Sequence, residues 1–366
     1  MAMTLERPRL TRRTAQAVID CDIHIGTPNK DPLGKYLSAR WRRHHEVFGA
    51  RGHSGAGYPR MNPAAARTDS WPPNGNPPGS DLPFLQQQLL DTWGIEYGVI
   101  NWTFRAGAQL NLEYGAALAQ AANDWQIDAW LEREPRLRAS LIVPYEDGDL
   151  AAAEIDRLGD HPGFVQIILI ARTAEPLGRR KYWRMYEAAE RHGLPIGIHF
   201  GGEGGGPITG AGWPSFYIED HAGMPPALET HLVSFVCEGV FERFPTLKVV
   251  LIEGGMGWLP PLMWRLDRAW SLLRDEVPHL TRPPSEYVRQ HFWLTTQPME
   301  EPHRKEQFAQ FLEHLDMDDR LMFATDYPHW DFDAPDNAVP VALPPALHRQ
   351  IMAENARALY HLEPRA

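Results

Sequence analysis

Cysteine is nearly missing: the 366 residues hold two, Cys21 and Cys237. Two thiols in a chain this long make no disulfide framework, and both fall in segments that suit reduced, buried side chains. Long apolar runs are missing too. No stretch approaches the roughly 20 residues that span a bilayer. Residues 1–13 carry charges without an apolar signal core, so the expectation is a soluble, cytoplasmic protein with no membrane partner. Basic charge is in deficit, with 36 Lys and Arg against 47 Asp and Glu and a net charge of −11. No basic run with interleaved aromatics offsets that balance, which argues against nucleic-acid partners. Nucleotide-binding glycine patterns are also lacking. Residues 25–30 contain no GxGxxG, and the glycine run at 201–206 lacks the Lys-Ser/Thr ending of a phosphate loop. That run is read instead as a mobile active-site loop.

What is present begins with apolar segments in a regular order. Strand-like runs recur at 18–25, 97–102, 139–143, 164–170, 195–200, 247–253, 291–296 and 321–326. Helical patterns occupy 82–92, 110–133, 149–158, 180–192, 226–244, 257–274, 301–315 and 345–362. Strands too apolar for strict alternation, each followed by a helix, fit a parallel sheet covered by helices. The simplest closure is an α/β fold of the (β/α)8 TIM-barrel type, with residues 1–366 as one metal-dependent domain. From 27 to 80 the chain is long, rich in Pro, Gly and Arg, and short of helical periodicity, so it is read as an insertion over the barrel mouth.

Metal-binding side chains stand at the ends of these strands. Asp22 and His24 close the first run, His199 the fifth, Glu253 the sixth and Asp326 the eighth. In such a barrel all strand carboxyl ends open on one face, so ligands scattered along the sequence converge. Any one of these residues alone reads as a polar group satisfied at a strand end, but four strands placing such groups at the same end point to a shared ion. Asp22 and His24 are two apart and share a side of an extended strand. Asp326 and Glu253 could bind the ion or take a proton from its water. Three carboxylates with two histidines form a hard donor set that favours manganese or iron and still admits zinc, as one ion or two.

Weaker candidates surround them. His329 follows Asp326 in a loop, where it could act catalytically or cap a turn beside Pro328, and His221 follows the glycine run. Arg105 and Arg172 follow the second and fourth strands, where a guanidinium could pair with a substrate carboxylate; surface ion pairing explains them nearly as well. His231 lies in a helical run and reads as packing.

The segments that carry these residues resemble a known family. Ile19-Asp20-Cys21-Asp22-Ile23-His24 is similar to the first-strand His-x-His motif of the amidohydrolase superfamily, and His199 and Asp326 match its fifth- and eighth-strand ligands. Phe241-Glu242-Arg243-Phe244-Pro245-Thr246-Leu247-Lys248, Ala324-Thr325-Asp326-Tyr327-Pro328-His329 and Glu354-Asn355-Ala356-Arg357 resemble the aminocarboxymuconate-semialdehyde decarboxylase-like branch. The resemblance runs from Val18 onward. It implies a TIM barrel, a divalent metal, and nonoxidative decarboxylation or hydrolysis of a small carboxylated substrate. Two departures accompany it. Asp22 stands where many members have a histidine, and Glu253 stands where the decarboxylases usually carry one. The fourth run, 164–170, has no lysine, so a carbamylated-lysine bridge between two metals is excluded. Two further readings stay open: a nonheme dinuclear iron or manganese oxygenase on this fold, and a structural metal-binding subunit that partners an active paralogue. A homo-oligomer, or a hetero-oligomer with that paralogue, is the expected assembly.

Overall fold

A computed structural model describes residues 16–49, 65–202 and 209–365. Eight parallel strands form one sheet in sequence order, β1 (Ile19–Ile23), β2 (Tyr97–Ile100), β3 (Leu137–Ile142), β4 (Phe164–Ile170), β5 (Ile196–His199), β6 (Val249–Ile252), β7 (Phe292–Thr295) and β8 (Leu321–Met322). The described helices are α1 (Ala39–Phe48), α2 (Leu82–Leu85), α3 (Leu112–Gln126), α4 (Gly148–Leu158), α5 (Trp183–His192), α6 (Tyr217–Ala222), α7 (Pro225–Cys237), α8 (Val240–Arg243), α9 (Leu259–Leu273), α10 (Pro284–His291), α11 (Lys305–Leu315), α12 (Pro345–Arg349) and α13 (Asn355–Tyr360). The order is that of the TIM barrel expected from the apolar runs.

The strands are buried on both faces because helices cover the outside and side chains fill the inside. β4, Phe-Val-Gln-Ile-Ile-Leu-Ile, is buried at every position. Its one polar residue, Gln166, points into a polar layer. The Gln166 amide donates to Asn101 Oδ1 (2.9 Å) and Ser140 Oγ (2.9 Å), and its oxygen accepts from the Tyr360 hydroxyl (2.9 Å). A Cβ on Gly197 of β5 would lie 3.1 Å from that amide, so glycine leaves the room the glutamine fills. Buried polar groups stabilise only when their bonds are met, and here each has a partner.

Closure between β8 and β1 is made by single bonds. Cys21 N–H donates to the Phe323 carbonyl (2.9 Å), Asp326 N–H to the Asp22 carbonyl (3.2 Å) and His24 N–H to the Tyr327 carbonyl (2.7 Å). Asp20, fully buried, accepts from the Thr325 hydroxyl (2.6 Å) and the Thr325 N–H (2.9 Å) across the same seam. Burial lifts its carboxyl to about 7, against the bonds from Thr325.

The structure corrects several boundaries. The eighth strand, expected over 321–326, is two residues long, because beyond Met322 the chain bends to meet β1 with individual contacts. The run 226–244 breaks at Gly239, whose φ of 74° separates α7 from α8. The segment 27–80 holds a helix, α1. Its polar sequence buries no residue and so lacks an apolar stripe; Trp41 and His44 instead pack on the Tyr114 ring at 5.3 and 4.6 Å. Residues 50–64 of that segment, and residues 203–208, which include the last four of the glycine run, lie outside the described residues. Residues 65–67 do lie against the loop after β8, with Arg67 N–H bonded to the Pro328 carbonyl and Trp330 N–H to Ala65.

Candidate metal centre

The five strand-end donors meet at one buried point. His24 Nε2 lies 3.5 Å from Asp22 Oδ1, 3.2 Å from His199 Nε2 and 2.9 Å from Asp326 Oδ1. His199 Nε2 is 3.4 Å from Asp22 Oδ2 and 3.1 Å from Glu253 Oε2. Donors sharing one ion at about 2.1 Å sit roughly 3 to 3.4 Å apart, so this spacing fits a common cation. Two overlapping quartets arise, Asp22, His24, His199 and Glu253, and His24, Glu253, Asp326 and His329, each with its ligand atoms within 4.8 Å.

Local backbone aims these groups. Asp22 and His24 project from the same side of β1, while Glu253 (φ 55°) and Asp326 (φ 59°) sit just past β6 and β8 in the left-handed region. Non-glycine residues are held there at a cost of about 1–3 kcal/mol, which surrounding bonds must offset. Those bonds are present. Glu253 N–H donates to Thr295 Oγ1 (3.1 Å), and Asp326 N–H is held by the Asp22 carbonyl. His199 Nδ1 donates to the Phe200 carbonyl (2.5 Å), which fixes the tautomer and leaves Nε2 for the ion. Asn101 donates to Asp22 Oδ1 (2.9 Å), linking the centre to the polar layer below it. Asp22 Oδ2 is a buried acceptor that meets no hydrogen-bond donor among the described residues, which fits the role of a metal-ligand oxygen.

The charges are strongly coupled. Burial drives the Glu253 carboxyl well above its ordinary range, with Asp326 and Asp22 adding repulsion. Burial also opposes charge on His199, yet Asp22 and Glu253 outweigh it and lift the imidazole to about 9. Asp326 is held the other way: His329 and His24 overcome its burial and keep it ionised well below the usual carboxylate range. Burial and the neighbouring His329 lower His24.

His329 joins this cluster. It donates from Nδ1 to Asp326 Oδ1 (2.7 Å) and stacks on the His24 ring at 4.2 Å. His221, on α6, is bound through Nε2 to Asp331 (2.9 Å), with the rings of Tyr217 and Trp330 at 5.6 and 5.3 Å. Arg172 is engaged by Asp220 of the same helix (2.5 Å) and by the Gly202 carbonyl (3.0 Å), its guanidinium over Phe200. Arg105 lies exposed on the turn after β2. His231 is a packing residue, bonded to Leu177 N–H and the Ala171 carbonyl.

Across residues 19–362 the chain matches the sequence profile of the amidohydrolase family. The protein belongs to the amidohydrolase family. This amidohydrolase is 26% identical over 272 residues to the gamma-resorcylate decarboxylase of Polaromonas sp. (strain JS666), covering 69% of this chain and 79% of that protein. Its fold superposes on 2,6-dihydroxybenzoate decarboxylase from Rhizobium with a TM-score of 0.67 at 19% identity, over 94% of this chain and 99% of the other. A 5-carboxyvanillate decarboxylase from Novosphingobium aromaticivorans, complexed with manganese and 4-hydroxy-3-methoxy-5-nitrobenzoic acid, gives 0.69 at 19%, over 95% and 97%.

Five participants of this amidohydrolase site escaped the sequence reading: Asp20, Asn101, Gln297, Thr325 and Asp331. Only Asp20 left a signal, since Asp20, Asp22 and His24 alternate along one strand and so share a face. The others sit on loops beyond the strands, and their partners are set by packing.

Proposed function

We propose that this protein is a metal-dependent carboxy-lyase that removes a carboxyl group, without oxidation, from a small hydroxylated aromatic acid. The buried meeting of Asp22, His24, His199, Glu253 and Asp326 carries this reading, supported by the similarity to decarboxylases of such acids. The oxygen-rich donor set favours manganese, held by Asp22, His24, His199 and Asp326. When bound, the ion supplies Lewis acidity and a counter-charge for the substrate's oxygens.

Glu253 holds the proton. In this reading its carboxyl, which burial and the neighbouring Asp326 drive upward, delivers hydrogen to the ring carbon that bears the carboxylate. The bond to the carboxylate then breaks, its electron pair returns to the ring, carbon dioxide leaves, and the Glu253 carboxylate regains a proton from solvent. His329 orients Asp326. Arg172 and His221 bind the substrate at the mouth, with Arg105 at its outer edge, and residues 65–67 border the opening through their contacts with the loop after β8. Hydrolysis at the same centre would instead need Glu253 ionised as a base, which its burial opposes.

The test is carbon dioxide release from a panel of hydroxylated benzoic acids by the manganese-loaded protein, with Glu253→Gln as the comparison. Release by the wild type that falls at least a hundredfold in the variant supports the assignment. A panel that yields no carbon dioxide overturns it. The second quartet favours a second reading, two ions with dioxygen chemistry. Two redox-active ions per chain, together with oxygen uptake, would replace the carboxy-lyase.

A further inference from the structure

Large apolar side chains stand open at the rim of the barrel mouth. Trp330, just beyond Asp326, is 47% exposed, and Phe216 (68%) and Ile218 (73%) flank the half-buried Tyr217 at the start of α6. These residues follow β5 and β8, so they rim the face on which the metal-binding groups open. The rings are braced. Trp330 Nε1 donates to the Tyr217 hydroxyl (3.3 Å), with the two rings 6.4 Å apart and inclined at 71°, and Trp330 N–H is tied to the Ala65 carbonyl (2.8 Å). The His221 ring touches both, and it holds Asp331, which accepts from the Gln297 amide that also reaches Asp326. Burial pushes the Tyr217 phenol up to about 12 against the bond from Trp330, and the charges of Asp331, Glu253 and Asp326 add to the rise, so the ring is within electrostatic reach of the centre. Arg172 is engaged by Asp220 and His221 by Asp331, so the surface left uncovered beside them is that of the rings.

We infer that Trp330 and Tyr217 determine specificity by packing against an apolar extension of the acid, a second ring or a group of similar size opposite its carboxylate. This rests on the carboxy-lyase reading and sets the size of its substrate, which is larger than a single substituted benzene ring. An acid whose carboxyl end meets the buried centre directs its far end outward, past these rings. Exposed apolar surface gathered at a mouth marks a place that a ligand covers. Rings held by hydrogen bonds and by one another lose little freedom when it does, so the contact adds to affinity.

Calorimetric titration of the manganese-loaded full chain with 2-hydroxybenzoate and 4-phenyl-2-hydroxybenzoate tests this, in the wild type, Trp330→Ala and Trp330→Phe. The wild type should bind the phenyl acid about tenfold more tightly than its parent. Trp330→Ala should lose that preference while binding the parent acid unchanged, and Trp330→Phe, which keeps a ring, should retain most of it. Equal binding of the two acids by the wild type, equal weakening of both in Trp330→Ala, or a preference that survives the alanine overturns the inference and leaves the carboxy-lyase reading standing. A wild-type oligomer that Trp330→Ala dissociates, seen by sedimentation and without preference for the larger acid, assigns the rings to a contact between copies of the chain and also overturns it. Binding of neither acid by the wild type overturns both readings. Should Trp330→Ala not fold, the wild type decides, a tenfold preference supporting the role and equal binding refuting it.

Discussion

Asp326 is touched by His24, His329 and Gln297 while its backbone is held in the left-handed region. Asp326→Asn removes the charge proposed to bind the ion and to balance two imidazoles; carbon dioxide release should fall at least a thousandfold, and near-normal turnover would reject the ligand assignment. His199 sets a pH dependence for metal uptake. Its imidazole, lifted to about 9, is protonated at neutral pH, and an ion must displace that proton to reach Nε2. Apparent metal affinity should therefore rise with pH up to about 9 and level off above it. Calorimetry in buffers of different ionisation enthalpy should show proton release at pH 7; no release would place the ion elsewhere.

Among the elements, β8 matters most because it is so short. The chain after Met322 carries Asp326, and its position depends on the clasp between Thr325 and Asp20. Thr325→Val deletes the hydroxyl and leaves a buried carboxylate oxygen without its donor. Chemical denaturation should register a loss of about 1–3 kcal/mol, together with weaker metal binding. Gly79 supports β1 from the other side. Its φ is +69°, its carbonyl accepts from Gly26 N–H, and an added Cβ would fall 2.6 Å from the His24 carbonyl. Gly79→Ala should destabilise the protein by about 1–3 kcal/mol, since both strain and overlap oppose it; a neutral result in the same denaturation experiment would count against the tight join at His24. Both contacts were invisible in the sequence. A threonine 305 positions from its aspartate, and a glycine in a proline-rich stretch, carry no periodic signal.

At the scale of the whole molecule, an ion bound at the proposed centre would act as a folding partner. Metal that binds the native barrel and not the unfolded chain adds about 2.7 kcal/mol when present at a hundred times its dissociation constant. Thermal unfolding should shift upward on adding manganese to stripped protein and return on chelation; an unchanged midpoint would show that the cluster holds no ion. No described helix is long and apolar enough to cross a membrane.

The sequence by itself determined the eight-fold alternation of strand and helix, and the places of Asp22, His24, His199 and Glu253 at or just beyond strand ends, whereas Asp326 lies in the chain beyond the short β8. These follow from local patterns, namely apolar runs of strand length and polar residues closing them, which neighbouring residues specify on their own. Tertiary structure alone decided that His329 joins the cluster, that Arg172 is engaged by Asp220, that Asp20 clasps Thr325 and that Gln297 faces Asp326 and Asp331. Each of these depends on segments brought together by barrel closure, where distance in space is set by strand register and loop path and the spacing along the chain carries no trace of it.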